Sequence, residues 1–357
     1  MVIDALRGIA ALVVVFYHLS DAAGVRGIPV IGPMMSHGNL GVEIFFVISG
    51  FVIAYSVRNA EHTASFLGRF ALRRALRLDP PLWLTIALEI IMVMIVSAVM
   101  PDRATPLPSL AQVAAHLLYV QDLLGVGNII PVFWTLCYEV QFYLVLVSSL
   151  VLLRTVRHKW GEHIGSQLFT LLAVASFFYS LSIDVELTRS PLTGLFIDRW
   201  YQFLLGVVTF GVCYGKIPRP YLYGSWLSVA AVLLFGAPTS YTIASAATCV
   251  ATSMLVMATL NRHWAEQFAQ KPVLQFLGRI CYSLYLSHLV IGWRAVAVVL
   301  AVLPGQPLMV VRFGVCLLGV AVSIVTAYLM YLIIERPSLR WASRVSMVRG
   351  TALFGRA

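Results

Sequence analysis

Charged residues are scarce in this chain. They make up 11% of its 357 residues, whereas hydrophobic residues make up 60%. An ordinary soluble domain carries roughly 25% charged residues. A water-soluble globule cannot bury so much apolar surface, so the composition excludes a soluble enzyme and indicates a protein that crosses the membrane many times. The sequence shows no internal repeat and no low-complexity tract.

Cysteines are also few, and their positions argue against a disulfide framework or a zinc site. The five cysteines lie in apolar runs, and none stands in a C-x-x-C pair. We interpret them as small buried thiols and predict no metal site. The net charge of +10 is spread over short loops between apolar runs, which argues against nucleic-acid binding.

The apolar runs predict the fold class. Since a bilayer core needs about 20 apolar residues per helix, we predict an all-α membrane protein, a bundle of about ten transmembrane helices, with the first run retained rather than cleaved as a signal peptide. The predicted spans are 8–24, 39–57, 80–100, 132–153, 165–183, 197–214, 222–238, 240–260, 276–303 and 309–334. A shorter apolar segment at 111–124 predicts a re-entrant or interfacial stretch.

The basic residues predict the orientation. A large majority of the 25 lysines and arginines fall on the same side of the predicted spans as the N-terminus, and loops rich in these residues stay in the cytoplasm. We therefore predict both termini in the cytoplasm and a multi-pass protein of the cytoplasmic (inner) membrane. We expect a transmembrane domain at 1–334 and a basic tail at 335–357 that rests on anionic lipid.

The first span carries two ionisable groups that are costly inside a bilayer. In "IDALRGIAALVVVFYHL", residues 3–19, Arg7 and His18 are eleven residues apart, about 20° past three full turns and a rise of about 16 Å. Both are predicted on one helix face, with His18 near mid-membrane and Asp4 placed to pair with Arg7. Such groups are functional candidates; the alternative is a headgroup-anchored arginine and a histidine satisfied by a neighbouring helix.

Two acidic residues stand in similarly apolar surroundings. Glu43 lies in "GVEIFFVISGF" and Glu139 in "FWTLCYEVQFY". A buried carboxylate can hold an imidazole in one tautomer or accept a proton. The alternatives are an acid at the outer edge beside a small-residue seam at Ser49 and Gly50, and a polar clamp between helices for Glu139.

Aromatic residues and a second intramembrane histidine form another set of candidates. Trp134 and Tyr138 suit an aromatic belt at the membrane interface. In "RICYSLYLSHLVI", Tyr285 and His288 share a helix face with Cys281. We predict that these residues bind substrate or shape its cavity, and a catalytic role for the second histidine is the alternative. The predicted substrate-binding set is Trp134, Tyr138, Tyr285 and His288.

A ladder of arginines precedes the third span in "RFALRRALRLDPPLW". Three of them repeat every four residues and share a helix face, and Pro80 and Pro81 are predicted to end that helix and begin the next span. Because guanidinium groups bind phosphate in bidentate fashion, the ladder predicts a site for a multiply phosphorylated cytoplasmic ligand; the alternative is a positive-inside anchor. The ladder consists of Arg69, Arg73, Arg74 and Arg77.

Taken in order, these motifs resemble the acyltransferase-3 family of integral-membrane acyltransferases, over nearly the whole chain. The family's Arg-x10-His pair falls on Arg7 and His18. Its arginine-rich motif falls on Arg73, Arg74 and Arg77. Its common "GVDLFFVLSG" has Asp where this chain has Glu43, so the acid is kept with a longer reach.

The resemblance implies an O-acyltransferase with an acyl-coenzyme A donor, most simply acetyl-coenzyme A, used from the cytoplasm. For glycan-modifying members it implies an acceptor on the opposite face. The acceptor classes left open are a glycan, a lipid-linked sugar and a small-molecule hydroxyl. Some members carry a fused SGNH hydrolase-like domain, and we expect this chain to lack one.

The predicted mechanism joins these groups. The arginine ladder holds the nucleotide phosphates, and the pantetheine arm reaches His18, which acts as general base or carries the acyl group. Glu139 or Glu43 orients the imidazole, and Arg7 guides the thioester or binds phosphate. The alternative functions are a proton-coupled transporter that uses the same His and Glu groups and a signalling or scaffold protein.

Overall fold

The computed structural model describes residues 2–29, 31–235, 238–260 and 262–347. Helices account for 81% of the structure, and the described residues contain no strand, which confirms the all-α class. The helices are α1 (Val2–Ala23), α2 (Ile31–Ser36), α3 (Gly41–Val57), α4 (Ala64–Val99), α5 (Leu110–Leu117), α6 (Trp134–Trp160), α7 (Glu162–Asp184), α8 (Trp200–Cys213), α9 (Arg219–Phe235), α10 (Ser240–Thr259), α11 (His263–Ala269), α12 (Pro272–Ser287), α13 (Arg294–Val302), α14 (Met309–Met330) and α15 (Arg336–Arg344).

Eight helical segments among the described residues are long and apolar enough to cross a membrane. Each predicted span coincides with a helix, but α8 and α9 have 14 and 17 residues, which is short for a bilayer core. The structure therefore supports a multi-pass membrane protein, while the count of ten spans and the cytoplasmic termini stay predictions.

The prediction that Pro80 and Pro81 end a helix is wrong. The helix α4 runs unbroken for 36 residues through both prolines. Proline removes a backbone donor and so leaves a carbonyl one turn earlier without its usual partner, and in membrane helices neighbouring side chains compensate for such losses. The prolines leave free the carbonyls four residues earlier, those of Leu76 and Arg77. The Tyr282 hydroxyl of α12 donates to the next carbonyl, that of Leu78 (2.9 Å), so α12 contacts α4 beside the prolines. The arginine ladder and the third span thus belong to one continuous helix.

Glycines allow two close helix crossings. A Cβ at Gly8 would lie 2.6 Å from the backbone nitrogen of Gly278, so α1 and α12 are in contact near their N-terminal ends. A Cβ at Gly50 would overlap the Phe203 carbonyl, and one at Gly206 would overlap the Val47 carbonyl, so α3 and α8 are similarly close. Such contacts are typical of small residues in membrane helices.

Two π-helical segments interrupt the C-terminal helices. The first, His288–Trp293, joins α12 to α13, and the second, Tyr331–Glu335, joins α14 to α15. The last helix therefore continues past residue 335. The division into a membrane domain and a tail stays a prediction, and residues 348–357 of that tail lie outside the described residues.

The stretch predicted as re-entrant or interfacial begins with the short helix α5 and continues in turns. His116 fixes this stretch, because one ring nitrogen lies 2.7 Å from the Gln112 carbonyl and the other accepts the Ile129 backbone N–H (3.1 Å). Burial lowers the pKa of His116. The neutral ring thus serves as a structural link.

Candidate active site

Two neighbouring cavities lie among α1, α3, α4, α6, α12 and the end of α14. We call the first the polar cavity; its volume is about 300 Å³, and it is lined by Asp4, Arg7, Arg77, Gln275, Gly278, Arg279, Cys281, Tyr331, Glu335 and Leu339. We call the second the central cavity; its volume is about 40 Å³, and it is lined by Arg7, Val42, Phe45, Phe46, Ser49, Thr135, Leu136, Glu139, Cys281, Tyr282 and Tyr285. Arg7 and Cys281 line both cavities.

The central cavity brings Arg7 and Glu139 together from two helices. The Glu139 carboxylate accepts hydrogen bonds from the hydroxyls of Ser49 (2.9 Å) and Tyr143. Two hydroxyl donors at one carboxylate oxygen fix its position. The central cavity therefore presents a positioned carboxylate and a guanidinium in one lining.

The four arginines of the ladder differ in their surroundings. Arg77 lines the polar cavity, whereas the Arg74 guanidinium lies over the Tyr143 ring, 4.8 Å from its centroid, a cation–π contact. Arg69 and Arg73 lie closer to the N-terminus of α4 and are partly exposed. The buried Nε of Arg69 has no hydrogen-bond partner.

His18, which shares a helix face with Arg7, contacts a second histidine, His288. The His18 ring lies 5.3 Å from the His288 ring, with the two planes tilted by 39°. His18 is half-buried and His288 is fully buried. Since Arg7 shares both cavities with Cys281 of α12, the helix face that carries Arg7 and His18 is the face that packs on α12.

Tyr285 connects the central cavity to the histidines. Its ring lines the cavity and lies 6.0 Å from the His288 ring. Its hydroxyl bonds the Thr135 hydroxyl (2.9 Å) and donates to the Val132 carbonyl (3.1 Å). The link from the cavity to His18 therefore runs through Tyr285 and His288.

Glu43 lies away from these groups. One of its carboxylate oxygens accepts hydrogen bonds from the hydroxyls of Tyr241 (3.2 Å) and Ser245 (3.0 Å) on α10. Its other oxygen is buried without a hydrogen-bond partner. The structure thus brings Glu139, and not Glu43, to the cavity that Arg7 lines.

Trp134 and Tyr138 lie one layer outside the central cavity. The Trp134 ring contacts the rings of Phe46 (6.2 Å) and Tyr138 (5.8 Å). The Tyr138 hydroxyl donates to Asp198 (3.0 Å). Both side chains therefore pack against a residue that lines the cavity.

Sequence reasoning missed Tyr143 and Glu335. Tyr143 stands four residues after Glu139, so helical spacing would have placed the two together. Glu335 is buried in the second π-helical segment and accepts hydrogen bonds from the backbone N–H and the hydroxyl of Ser283 (3.2 and 2.6 Å). The sequence did offer an indication of Glu335, because it is an acid at the end of the apolar run "YLIIE". It was missed because residue 335 was predicted to begin the basic tail.

Another cavity, of about 380 Å³, lies between α8, α9 and α10 and includes Arg219 and Arg262. None of the predicted site residues lines it. The described residues contain no cluster of three or more His, Cys, Asp or Glu side chains placed to hold a metal ion.

Comparison with known proteins adds an independent finding. The model of the acyltransferase-3 family, described as an acyltransferase domain, matches residues 2–328. The chain belongs to this family. No solved structure matches it.

Several relatives carry functional names. A protein of Komagataeibacter xylinus, whose name describes it as a membrane-bound transacylase, is 28% identical over 98% of this chain and 86% of its own length. The exopolysaccharide production protein ExoZ of Rhizobium meliloti (strain 1021) is 29% identical over 90% of this chain and 95% of its own. A protein of Staphylococcus aureus (strain COL) named as an O-acetyltransferase is 25% identical over 80% of this chain; the match covers 49% of its own length.

Proposed function

We propose that this chain moves an acetyl group from acetyl-coenzyme A, bound on the cytoplasmic side of the inner membrane, to a hydroxyl of a surface glycan. The family membership already makes it a membrane acyltransferase. The donor, the acceptor and the catalytic residues are the parts proposed here. The glycan acceptor is supported by the relative named for exopolysaccharide production.

The observation that carries this proposal is that Arg7 and Cys281 line both cavities, so the two cavities are neighbours separated by these side chains. The polar cavity is lined by arginines of three helices, Arg7, Arg77 and Arg279. Guanidinium groups in such a place suit the phosphates of coenzyme A. In this proposal the nucleotide extends from the polar cavity toward the N-terminus of α4, where Arg69, Arg73 and Arg74 bind it.

From the polar cavity, the thin pantetheine arm passes Arg7 into the central cavity. That cavity is narrow, at about 40 Å³, so the arm enters by moving side chains such as Tyr285. The thioester then lies near Arg7 and Glu139 and points toward His288 and His18. Arg7 stabilises the negative charge that develops on the thioester oxygen.

His18 serves as the general base. It takes the proton of the acceptor hydroxyl, the hydroxyl oxygen attacks the thioester carbonyl, and the C–S bond breaks. The proton then passes from His18 to the sulfur, so coenzyme A leaves as a thiol. The alternative, an acyl group carried on His18, predicts a trapped acyl-enzyme in the absence of acceptor.

The test uses cells that lack the gene and are complemented with wild-type protein or with His18→Ala. Mass spectrometry of surface polysaccharide reports the acetyl groups. We expect the acetyl mass with the wild type and its loss with His18→Ala, at equal protein level and equal thermal midpoint. A matched control, His263→Ala, changes an exposed histidine and should keep the acetyl mass.

If cells complemented with His18→Ala carry as much acetyl as cells complemented with the wild type, the proposed role of His18 is wrong. Donor binding has a separate readout, which is the rise in thermal midpoint of purified protein on adding coenzyme A. We expect that rise to vanish in the double variant Arg74→Gln, Arg77→Gln. A rise that persists in that variant would overturn the proposed donor site.

A further inference from the structure

His288 begins the π-helical segment that separates α12 from α13. A π-helical turn inserts one extra residue into a helix, and such turns occur frequently at functional sites. Here the turn places a histidine that is 0% exposed next to the proposed catalytic histidine. The position combines an unusual backbone with a buried polar ring.

The hydrogen bonds of His288 fix its tautomer. Its Nδ1 lies 2.8 Å from the Tyr285 carbonyl and 3.2 Å from the Leu284 carbonyl. A carbonyl oxygen only accepts, so Nδ1 carries the proton. The neutral ring therefore presents Nε2 as an acceptor.

That acceptor is unused. His288 Nε2 is buried without a hydrogen-bond partner. Buried polar groups are nearly always paired, and an unpaired one calls for a functional reason. The most direct reason is a donor that arrives during the reaction.

The neighbouring groups point to His18 as that donor. The rings of Tyr285 and His18 lie 6.0 Å and 5.3 Å from the His288 ring, but the Tyr285 hydroxyl is already bonded to Thr135 and Val132. Near His18, Asp21 pairs with Arg26 (3.0 Å). The Arg26 guanidinium also lies over the Tyr17 ring, so the two charges are engaged with each other rather than with the imidazole.

We propose that His288 is a positioning residue for His18, in place of the substrate-binding role predicted from the sequence. This inference rests on the proposed function, because it needs His18 to act as the base. When His18 has taken the proton of the acceptor hydroxyl, both of its ring nitrogens carry N–H. The N–H away from the substrate, which the neutral ring already carries, becomes a stronger donor when the ring is charged. It turns to His288 Nε2, and this hydrogen bond stabilises the imidazolium until His18 gives the proton taken from the acceptor to the sulfur.

Two substitutions separate this role from a structural one. In His288→Asn, the amide N–H replaces Nδ1–H at the Tyr285 carbonyl, but no atom stands at the place of Nε2. In His288→Gln, the longer side chain returns an acceptor oxygen to that place. Proteoliposomes containing each variant are given acetyl-coenzyme A and exopolysaccharide fragments, and the rate of coenzyme A release is measured.

We expect kcat to fall about 100-fold in His288→Asn and about 10-fold in His288→Gln, by analogy with the 10–100-fold effects of residues that orient a metal-bound histidine through a hydrogen bond. The KM for acetyl-coenzyme A and the thermal midpoint should stay near the wild-type values in both. Rescue by glutamine is the signature of an acceptor at the Nε2 position.

Three results would overturn the inference. The first is an unchanged kcat in His288→Asn. The second is an equal loss in both variants together with a lower thermal midpoint, which indicates a structural role. The third is a raised KM for the glycan at unchanged kcat, which indicates a substrate contact. If His18→Ala is inactive while His288→Asn is fully active, this inference fails and the proposed function stands; an active His18→Ala removes the proposed function itself.

Discussion

Two sets of polar residues lie among the helices of this bundle, and they differ in what surrounds them. The first set lines the polar and central cavities and includes Arg7, Arg77 and Glu139. The second set connects α3, α7, α8 and α10 and contains Glu43, Asp184, Arg199, Tyr201, Gln202, Tyr241 and Ser245. In the described part of the chain, no member of the second set lines either cavity.

We call the second set the closed set, because it lines neither cavity and its hydrogen bonds run within it, although one side-chain oxygen each of Glu43 and Gln202 has no partner. Asp184 pairs with Arg199 and accepts from the Tyr201 hydroxyl (2.8 Å). Hydrogen bonds continue through Gln202 and Ser245 to Glu43. In the first set, which we call the open set, guanidinium groups and a carboxylate line the polar and central cavities instead. A charge inside the bundle is by itself weak evidence of a site, whereas a charge that lines a cavity is stronger evidence.

A substitution in the closed set should have the largest effect, and that effect is on stability. Asp184→Leu leaves the largely buried Arg199 guanidinium, 23% exposed, without its partner, and we expect the free energy of unfolding to fall by about 3 kcal/mol, the lower end for a broken buried pair. Denaturant unfolding of the purified protein in detergent measures it. The double variant Asp184→Leu, Arg199→Met should recover most of the loss, because no unpaired charge remains. An Asp184→Leu protein as stable as the wild type would contradict the structural role of this set.

The next effect concerns the open set. Glu139→Gln keeps the size of the side chain and removes the charge that faces the central cavity. We expect acetyl transfer to fall about 100-fold, which corresponds to about 2.7 kcal/mol, with little change in thermal midpoint. The rate of transfer from labelled acetyl-coenzyme A in proteoliposomes measures it. If the variant loses stability but each folded molecule keeps the wild-type rate, Glu139 has a structural role like that of the closed set.

A smaller effect tests the helix crossing that supports the closed set. In Gly50→Ala the new Cβ meets the Phe203 backbone, so α3 and α8 must separate. Overpacking of this kind costs about 1–3 kcal/mol, measured by thermal and denaturant unfolding. The matched control is Gly68→Ala on α4, where a Cβ meets nothing within 4 Å. That control should be neutral or slightly stabilising, and equal losses in both variants would contradict the close crossing.

The smallest effect compares two arginine-lined cavities. Arg77→Gln removes one charged contact from the polar cavity, and we expect the KM for acetyl-coenzyme A to rise about 10-fold at nearly constant kcat. Arg219→Gln, in the cavity between α8, α9 and α10, should leave that KM unchanged. Steady-state kinetics measure both values. The reverse result would move the donor site to the second cavity.

Much of the fold follows from the sequence, because each membrane helix satisfies its own backbone hydrogen bonds and shows itself as one apolar run. The helix end predicted at Pro80 and Pro81 was wrong, because a helix packed among others in a membrane tolerates prolines that a local rule treats as breaks. The Tyr282 hydroxyl of α12 donates to the Leu78 carbonyl beside the prolines, and no local pattern predicts such a contact. The two π-helical segments were not predicted from the sequence either.

Composition and helical period are local properties, and they are enough to predict the class of the protein and the shared helix face of Arg7 and His18. Which charges meet depends instead on how the helices pack. Glu43 and Glu139 lie in similarly apolar runs, yet one bonds hydroxyls of α10 and the other lines a cavity with Arg7. Their difference arises from the side chains that other helices bring to them, and those contacts join residues far apart in the chain.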